Sequence, residues 1–276
     1  MSEYNIKLVG LDIDGTLLNS KNQISPRNHA AIRAAIDAGC RVIPATGRPL
    51  RGVLPEFLQI PGVDYAVTAN GATVVRLADR EFVIKNWISR ARVQQIYQAT
   101  QGLWRVFDVF TGGSGYCEQR NLDAAEEWAP RNMAPYMRMS RQPVESMWDF
   151  IASQEGFEKC TMFFTSEENR QKARQIAREM GGFAIVSSEA NNLEVSDEGA
   201  TKGLALLELG RMLGLEKSQV MACGDSENDL AMLEAVGLGV AMGNAPLAIQ
   251  QKAAAVTATN DEDGVALALE KYVLGR

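Results

Sequence analysis

Histidine is nearly missing from this chain: among 276 residues there is one, His29. A single imidazole cannot build the multi-histidine ligand sets of catalytic zinc or iron, and any Ser-His-Asp triad would have to run through that residue. Cysteine is also scarce. Cys40, Cys117, Cys160 and Cys223 lie far apart with no CxxC pair, which argues against a zinc knuckle and a disulfide framework and fits a reducing compartment. No run approaches the roughly 18 apolar residues of a membrane span. The opening MSEYNIKLVG has no basic leader followed by a long apolar stretch, so the expected address is cytoplasmic. Positive charge is in deficit too. With 28 basic against 34 acidic side chains the net charge is −6, a poor footprint for nucleic acid or an anionic bilayer. What remains is a globular composition, 46% hydrophobic and 22% charged, large enough for two domains. Its chemistry must rest on carboxylates, lysine, hydroxyls or a hard metal.

The ends of the chain read as one kind of structure and the middle as another. IKLVGLDI, residues 6–13, is short, apolar and followed at once by a glycine turn, as in a central parallel strand buried on both faces. Ser25-Pro26 starts a helix with Ile32 and Ile36 on one face, and Gly39 closes it. A strand follows at 41–46, near an edge on account of Pro44, then a helix around 50–58 and a strand at 65–69 ended by Asn70-Gly71. Between 73 and 84 the pattern predicts a hairpin, and from Ser89 a helix carrying Val93, Ile96 and Tyr97. LWRVFDVF and YCEQR flank a glycine-rich loop as an antiparallel pair. KCTMFFT, a helix over 167–180 and FAIVSS complete an α+β unit that holds all four tryptophans. From Thr201 the alternation of helix and strand resumes. The predicted architecture is a doubly wound, Rossmann-like α/β core, residues 1–84 and 192–276, interrupted by an α+β cap over 85–191.

Candidate chemistry gathers at the predicted strand ends, where ligands bind in open α/β sheets. Asp12 and Asp14 are two apart and leave the strand on one side, and Gly15 permits the turn that brings both carboxylates to one substrate. Such neighbours repel unless a cation or a proton separates them. With a cation, Asp12 is free to attack phosphorus; with a proton, Asp14 can hand it to a leaving oxygen. The plainer alternative is a strand followed by an acidic turn. Gly224-Asp225-Ser226-Glu227-Asn228-Asp229 follows another apolar strand and opens a helix. Asp225 alone reads equally as an N-cap. Mg²⁺ takes an oxygen octahedron commonly built from one or two carboxylates with water and phosphate, which Asp12, Asp225 and the backbone carbonyl of Asp14 can begin. Thr46-Gly47-Arg48 offers a hydroxyl, backbone N–H groups and a guanidinium to phosphoryl oxygens. Lys202 opens a helix against the dipole, which a phosphoryl group at that terminus would explain.

DxDGT, the strand-end Thr-Gly-Arg, the lysine opening a late helix and GDxxND, in this order, resemble the haloacid dehalogenase superfamily of phosphohydrolases. ISPRNHAAIRAAIDAG, TANGA, NLEVSDEGATKG, GDSENDLAM, GVAMGNA and EDGVALALEKY are similar, more narrowly, to the Cof-type sugar-phosphate phosphatases, and the insertion matches their C2-type cap in position and size. The resemblance implies Asp12 as nucleophile forming an aspartyl-phosphate, Asp14 as general acid and then base, and Mg²⁺ held by Asp12, Asp14 through its backbone, and Asp225. It further implies that Thr46, Gly47, Arg48, Lys202 and Asn228 bind the phosphoryl group, with Lys202 counted in the catalytic set and Asp229 supporting it. Asn70 and Asn244 also match family positions, where turn formation is an equal explanation. His29, Cys223 and the tryptophans read as packing residues. The expected partner is a small phosphorylated metabolite, with no nucleic acid and no membrane. Two rivals stand beside this reading. A phosphomutase of the same superfamily would move phosphate within a sugar rather than release it, and a phosphometabolite sensor would bind without turnover.

Overall fold

The computed structural model describes residues 4–129 and 133–276. The described residues form two compact units. The first takes the chain up to Gly47, Val53–Ile84 and Thr201 onward; the second takes Arg48–Gly52 and Lys85–Ala200.

In chain order, the first unit begins with β1 (Leu8–Leu11), α1 (Pro26–Asp37), β2 (Arg41–Pro44), β3 (Tyr65–Thr68), β4 (Thr73–Arg76) and β5 (Glu81–Lys85). Ser25 caps α1 by accepting from the Asn28 N–H at 3.0 Å, with Pro26 at the first helical position. The helix expected over 50–58 is broken. Leu54 is extended before Pro55, which leaves one turn at Leu50–Gly52 and another at Pro55–Leu58, because proline disfavours helical backbone in the residue before it.

The second unit holds α2 (Arg90–Ala99), β6 (Val106–Thr111), β7 (Ser114–Glu118), β8 (Arg141–Val144), β9 (Lys159–Phe163), α3 (Glu167–Met180), β10 (Phe183–Val186) and β11 (Asn192–Asp197). The chain then returns to the first unit through α4 (Lys202–Met212), β12 (Val220–Gly224), α5 (Glu227–Ala235), β13 (Leu238–Ala241), β14 (Ala255–Val256) and α6 (Gly264–Leu269).

The main sheet of the first unit has the parallel order β14-β13-β12-β1-β2. Leu8 aligns with Val220 and Arg41, and Leu11 with Cys223 and Pro44. Just past β2, Ala45 makes a parallel bridge to Val67, which brings in the antiparallel set β3-β4-β5. Alternate residues of β1 feed two cores. Leu8 packs with Ala205, Leu206 and Leu209 of α4; Val9 and Leu11 pack with Ile32 and Ala35 of α1 and Val265 and Leu269 of α6. Both faces are covered, which is why the strand is apolar without alternation.

The second unit is a six-stranded sheet in the order β10-β11-β9-β6-β7-β8. Phe107, Val109, Cys160, Met162, Leu193 and Val195 bury one face with Val93, Ile96, Ala173 and Ala177. On the other face Asp108, Thr161 and Glu194 form one cross-strand row. The boundary expected near 192 falls after Ala200 instead. Asn192–Asp197 pairs with β9 on one side and β10 on the other, so cutting at 192 would remove an interior strand from this sheet.

Glu158, at the start of β9, is fully buried. Its Oε1 accepts from the Gly113 N–H at 2.6 Å, and its Oε2 has no partner. Burial pushes the carboxyl up to about 7, against the pull of the Gly113 N–H and Lys159. Between about pH 4.5 and about 7 the unfolded chain loses this proton first, so the group destabilises the fold increasingly as pH rises, by about 3 kcal/mol once past the window. Glu158→Gln keeps an acceptor for Gly113 and cannot ionise. Urea unfolding at pH 5 and pH 8 should therefore show the variant gaining on the parent by about 2–3 kcal/mol between the two; a difference that does not change with pH would refute this account.

Candidate active site

The site is built where β1, β2 and β12 end and α4 and α5 begin. Asp12 follows β1 directly, and its N–H donates to Cys223 O at 3.0 Å, which ties it to β12. The chain then makes one wide turn, with Leu17 N–H on Asp12 O and Leu18 N–H on Ile13 O. Gly15 sits at its apex at φ +80°, and a β-carbon there would lie 2.4 Å from Asp225 Oδ2. Left-handed backbone and close approach both demand glycine at this position. The turn leaves Asp12 buried at 4% exposure and Asp14 exposed.

Lys202 is the electrostatic centre. It is the first residue of α4, capped by Thr201, whose Oγ1 accepts from Leu204 N–H at 3.1 Å. Its ammonium is almost wholly buried and donates to Asp12 Oδ1 and Asp229 Oδ1, both at 2.6 Å. Burial by itself would lower the lysine's pKa, but Asp12 and Asp229 hold it above its ordinary range. Two carboxylates account for this cation at a helix N-terminus: Asp229, expected to support it, and Asp12. Asp12 is raised by burial and by Asp229, with Lys202 opposing.

Asp229 is fully buried, and its acceptor capacity is spent. Oδ1 takes Lys202, and Oδ2 accepts from the N–H groups of Asp225 and Ser226 at 3.0 and 3.1 Å. The cap of α5 is Ser226, not Asp225, so the alternative reading of Asp225 as an N-cap fails. The Asp225 carboxylate accepts instead from Thr16 Oγ1 at 2.8 Å. Burial, followed by Asp229, pushes it up to about 6, against Thr16 and Lys202.

One carboxylate oxygen from each of Asp12, Asp225 and Asp229 lies within 4.8 Å of the other two. These are hard oxygen donors crowded together, with the ionised forms of Asp12 and Asp225 disfavoured by burial and by their neighbours and one lysine to balance them. The set fits a hard divalent cation. Of the three, Asp229 is the most committed, to Lys202 and the start of α5, whereas Asp12 is met by Lys202 and Asp225 by Thr16.

Thr46 is buried; its N–H donates to Val67 O and its carbonyl accepts from Asn70 N–H, each at 3.0 Å. Asn70 is left-handed at φ +60°, and its Oδ1 accepts from Asn228 Nδ2 at 3.4 Å. A β-carbon on Gly47 would meet that same oxygen at 2.8 Å. Thr46, Gly47, Asn70 and Asn228 thus come together, and the equal-odds reading of Asn70 as a turn residue is only part of its role. The adjoining Gly71, at φ +93°, lies so close to Thr201 that a β-carbon would sit 2.2 Å from its carbonyl oxygen. Arg48 follows Gly47 in sequence. It belongs to the second unit, where its guanidinium lies 5.0 Å from the Tyr136 ring centre and donates to Gly52 O at 3.0 Å. Cys223 is buried, its thiol pushed up to about 12, and it has no part in the chemistry.

A family model for haloacid dehalogenase-like hydrolases matches residues 9–269. Phosphatase YwpJ of Bacillus subtilis is 32% identical over 95% of this chain and 98% of its own length. The 5-amino-6-(5-phospho-D-ribitylamino)uracil phosphatase YcsE of the same organism is 33% identical over 99% and 98%. The solved structure of a haloacid dehalogenase-like hydrolase from B. subtilis shares the fold at a TM-score of 0.83 and 32% identity, covering 96% of this chain and 99% of its own. The chain belongs to the haloacid dehalogenase-like hydrolases, and it is a phosphatase. Among the described residues, no helix is long and apolar enough to cross a membrane.

Lys202→Met replaces the buried ammonium with a side chain of similar length and leaves Asp12 and Asp229 without their cation. Urea unfolding at neutral pH should show a loss of about 3–5 kcal/mol, partly recovered at pH 5 as Asp12, raised by burial, takes up a proton. A loss under about 1 kcal/mol would mean that the pair of ion bonds does not hold the site together.

Proposed function

We propose that this phosphatase is Mg²⁺-dependent and hydrolyses small phosphorylated metabolites, sugar phosphates foremost, through an aspartyl-phosphate on Asp12. The observation that carries the reading is the environment of Asp12. One carboxylate oxygen is fixed by buried Lys202, while the other has no protein donor among the described residues. A nucleophile needs this combination of orientation and an uncommitted lone pair.

In the first step an Asp12 oxygen bonds to phosphorus as the bond from phosphorus to the alcohol oxygen breaks, and Asp14, exposed at the turn, gives that oxygen its proton. In the second, water attacks the phosphorus of the acyl phosphate while Asp14 takes the water's proton. Inorganic phosphate leaves and Asp12 is restored. Thr46, the Gly47 N–H, Asn228 and Lys202 hold the phosphoryl oxygens, and Asp229 orients Lys202. Mg²⁺, held by Asp12, Asp225 and the Asp14 carbonyl, would supply positive charge against the crowded carboxylates and the dianionic ester.

The sugar-phosphate reading draws on the second unit, the proposed specificity cap. Its row of Asp108, Thr161 and Glu194 is buried, next to the ion pairs Arg141–Asp108 at 3.2 Å and Lys159–Glu194 at 2.5 Å. Asp108 Oδ1 and Thr161 Oγ1 have no partner. Buried polar atoms left unpaired are costly, and hydroxyl groups of a ligand are one means of satisfying them. YcsE supports this choice by analogy, since its named substrate carries a phosphoribityl group. A cofactor precursor of that kind is the second substrate class we retain. Release of inorganic phosphate would separate hydrolysis from the phosphomutase alternative, and turnover itself from a sensor.

Chelation should abolish phosphate release from a simple aryl ester and added Mg²⁺ should restore it, whereas Asp12→Asn should stay inactive, by at least about a thousandfold, under both conditions. Turnover by Asp12→Asn near the parent rate would overturn the nucleophile; full activity after exhaustive chelation would overturn the metal. The cap reading has its own test. Thr161→Val removes an unpaired hydroxyl without changing shape and should leave the free protein as stable or more so by about 1 kcal/mol. It should raise KM for the preferred sugar phosphate about fivefold while leaving the aryl ester unchanged. Equal effects on both esters would exclude Thr161 from recognition of the leaving group.

A further inference from the structure

The turn that carries Asp14 is held on one side by Asp225, through Thr16 and the close approach at Gly15. On its other side it is held by residues that take no part in the phosphoryl transfer itself. Asn244, just past β13, donates from Nδ2 to Gly15 O at 2.8 Å. Its Oδ1 accepts from Asn260 N–H at 3.0 Å, so the amide is committed at both ends and its orientation is set. Asn260 in turn donates from Nδ2 to Leu18 O at 2.8 Å. The stretch continues in kind: Asp261 Oδ1 accepts from Ser20 N–H at 2.8 Å, and Asp263, left-handed at φ +58°, accepts at Oδ1 from Ser25 Oγ at 2.5 Å. The Asp14 turn and the tight hairpin after it, closed by the Leu18–Ile24 bridge, are therefore bonded at three points by Asn244, Asn260 and Asp261, and the start of α1 at a fourth by Asp263.

This is more than the closing of a surface loop. Asn244 is exposed, and it spends both amide groups on backbone rather than on its own turn, MGNAP, which is already closed by Ala245 N–H on Met242 O at 3.0 Å. Gly15 is the most freely rotating residue in the turn, and its carbonyl fixes the plane of the peptide that follows. One residue earlier stands Asp14, whose carboxyl must meet the leaving oxygen within hydrogen-bond reach. We infer that Asn244, oriented by Asn260, is a positioning residue for Asp14: it holds the peptide after Gly15 so that the acid is aimed before substrate arrives. This rests on the assignment of Asp14 as general acid.

The test compares kcat/KM for phenyl phosphate, whose leaving group needs a proton, with that for 4-nitrophenyl phosphate, whose leaving group needs little. Loss of one aligned hydrogen bond of about 1–1.5 kcal/mol corresponds to about tenfold. Asn244→Ala should lower kcat/KM for phenyl phosphate about tenfold and for the nitrophenyl ester less than about threefold. In an Asp14→Asn background it should add almost nothing to either, since a positioning residue has no effect once the group it positions is gone. Asn260→Ala, which removes only the bond to Leu18 O, should give the same pattern at smaller size. Amide hydrogen exchange over residues 13–18, measured on metal-free protein, should accelerate in Asn244→Ala while α4 and α5 stay unchanged. Equal losses for the two esters, or losses that add to those of Asp14→Asn, would overturn the inference; so would unchanged exchange at 13–18. If Asp14→Asn itself shows no dependence on the leaving group, the acid assignment fails, and the exchange measurement alone then decides whether Asn244 holds the turn.

Discussion

The buried ammonium of Lys202 is the interaction on which the site depends. Removing a cation from water is expensive, and the cost is met only because Asp12 and Asp229 each reach it at 2.6 Å. Those three residues come from the end of β1, the start of α4 and the first turn of α5, so the pairing aligns three elements that are remote in sequence. Asp229 passes the constraint on. Its second oxygen gathers the N–H groups of Asp225 and Ser226, which sets where Asp225 leaves the strand. Gly71, pressed against the Thr201 carbonyl, shows that the same helix start also abuts the turn carrying Asn70.

The arrangement leaves an imbalance, which is its use. Asp12 and Asp225 are both driven toward their neutral forms, mainly by burial, and a single lysine does not offset the acidic groups around it. A site in this condition has high affinity for positive charge brought in from outside and little tolerance for losing what it has. On the proposed function, a dianionic ester enters the first unit only in company with a cation, and Thr46, Gly47 and Asn228 add neutral donors for phosphoryl oxygens without changing the net charge.

The second unit solves a different problem. Its apolar sheet face supplies an independent core, and its other face keeps charged and hydroxyl groups out of water with several of them unpaired. A fold selected only for stability would not retain Asp108 Oδ1, Glu158 Oε2 and Thr161 Oγ1 in that state. On the proposed function, recognition of a ligand accounts for the unpaired Asp108 and Thr161 atoms of this row.

Much of this was legible in the chain itself. Continuous apolar runs marked the buried parallel strands, Ser25-Pro26 and Gly39 bounded a helix, and carboxylates at strand ends marked the candidate site, because these signals are local: each depends on residues a few positions apart. The boundary near 192 was misplaced because NLEVSD is a strand whichever sheet it joins, and only pairing with β9 and β10 assigns it. The short helices Gln119–Asp123, Ala125–Trp128 and Ala134–Ser140 span too few turns to show a period. Roles that depend on partners were beyond reach for the same reason. That Lys202 reaches Asp12 and that Asn244 grips Gly15 are contacts across 190 and 229 positions of sequence. The sequence by itself determined which groups were available and at which strand ends. Tertiary structure decided which of them meet, since burial and hydrogen bonding act through space and leave no pattern along the chain.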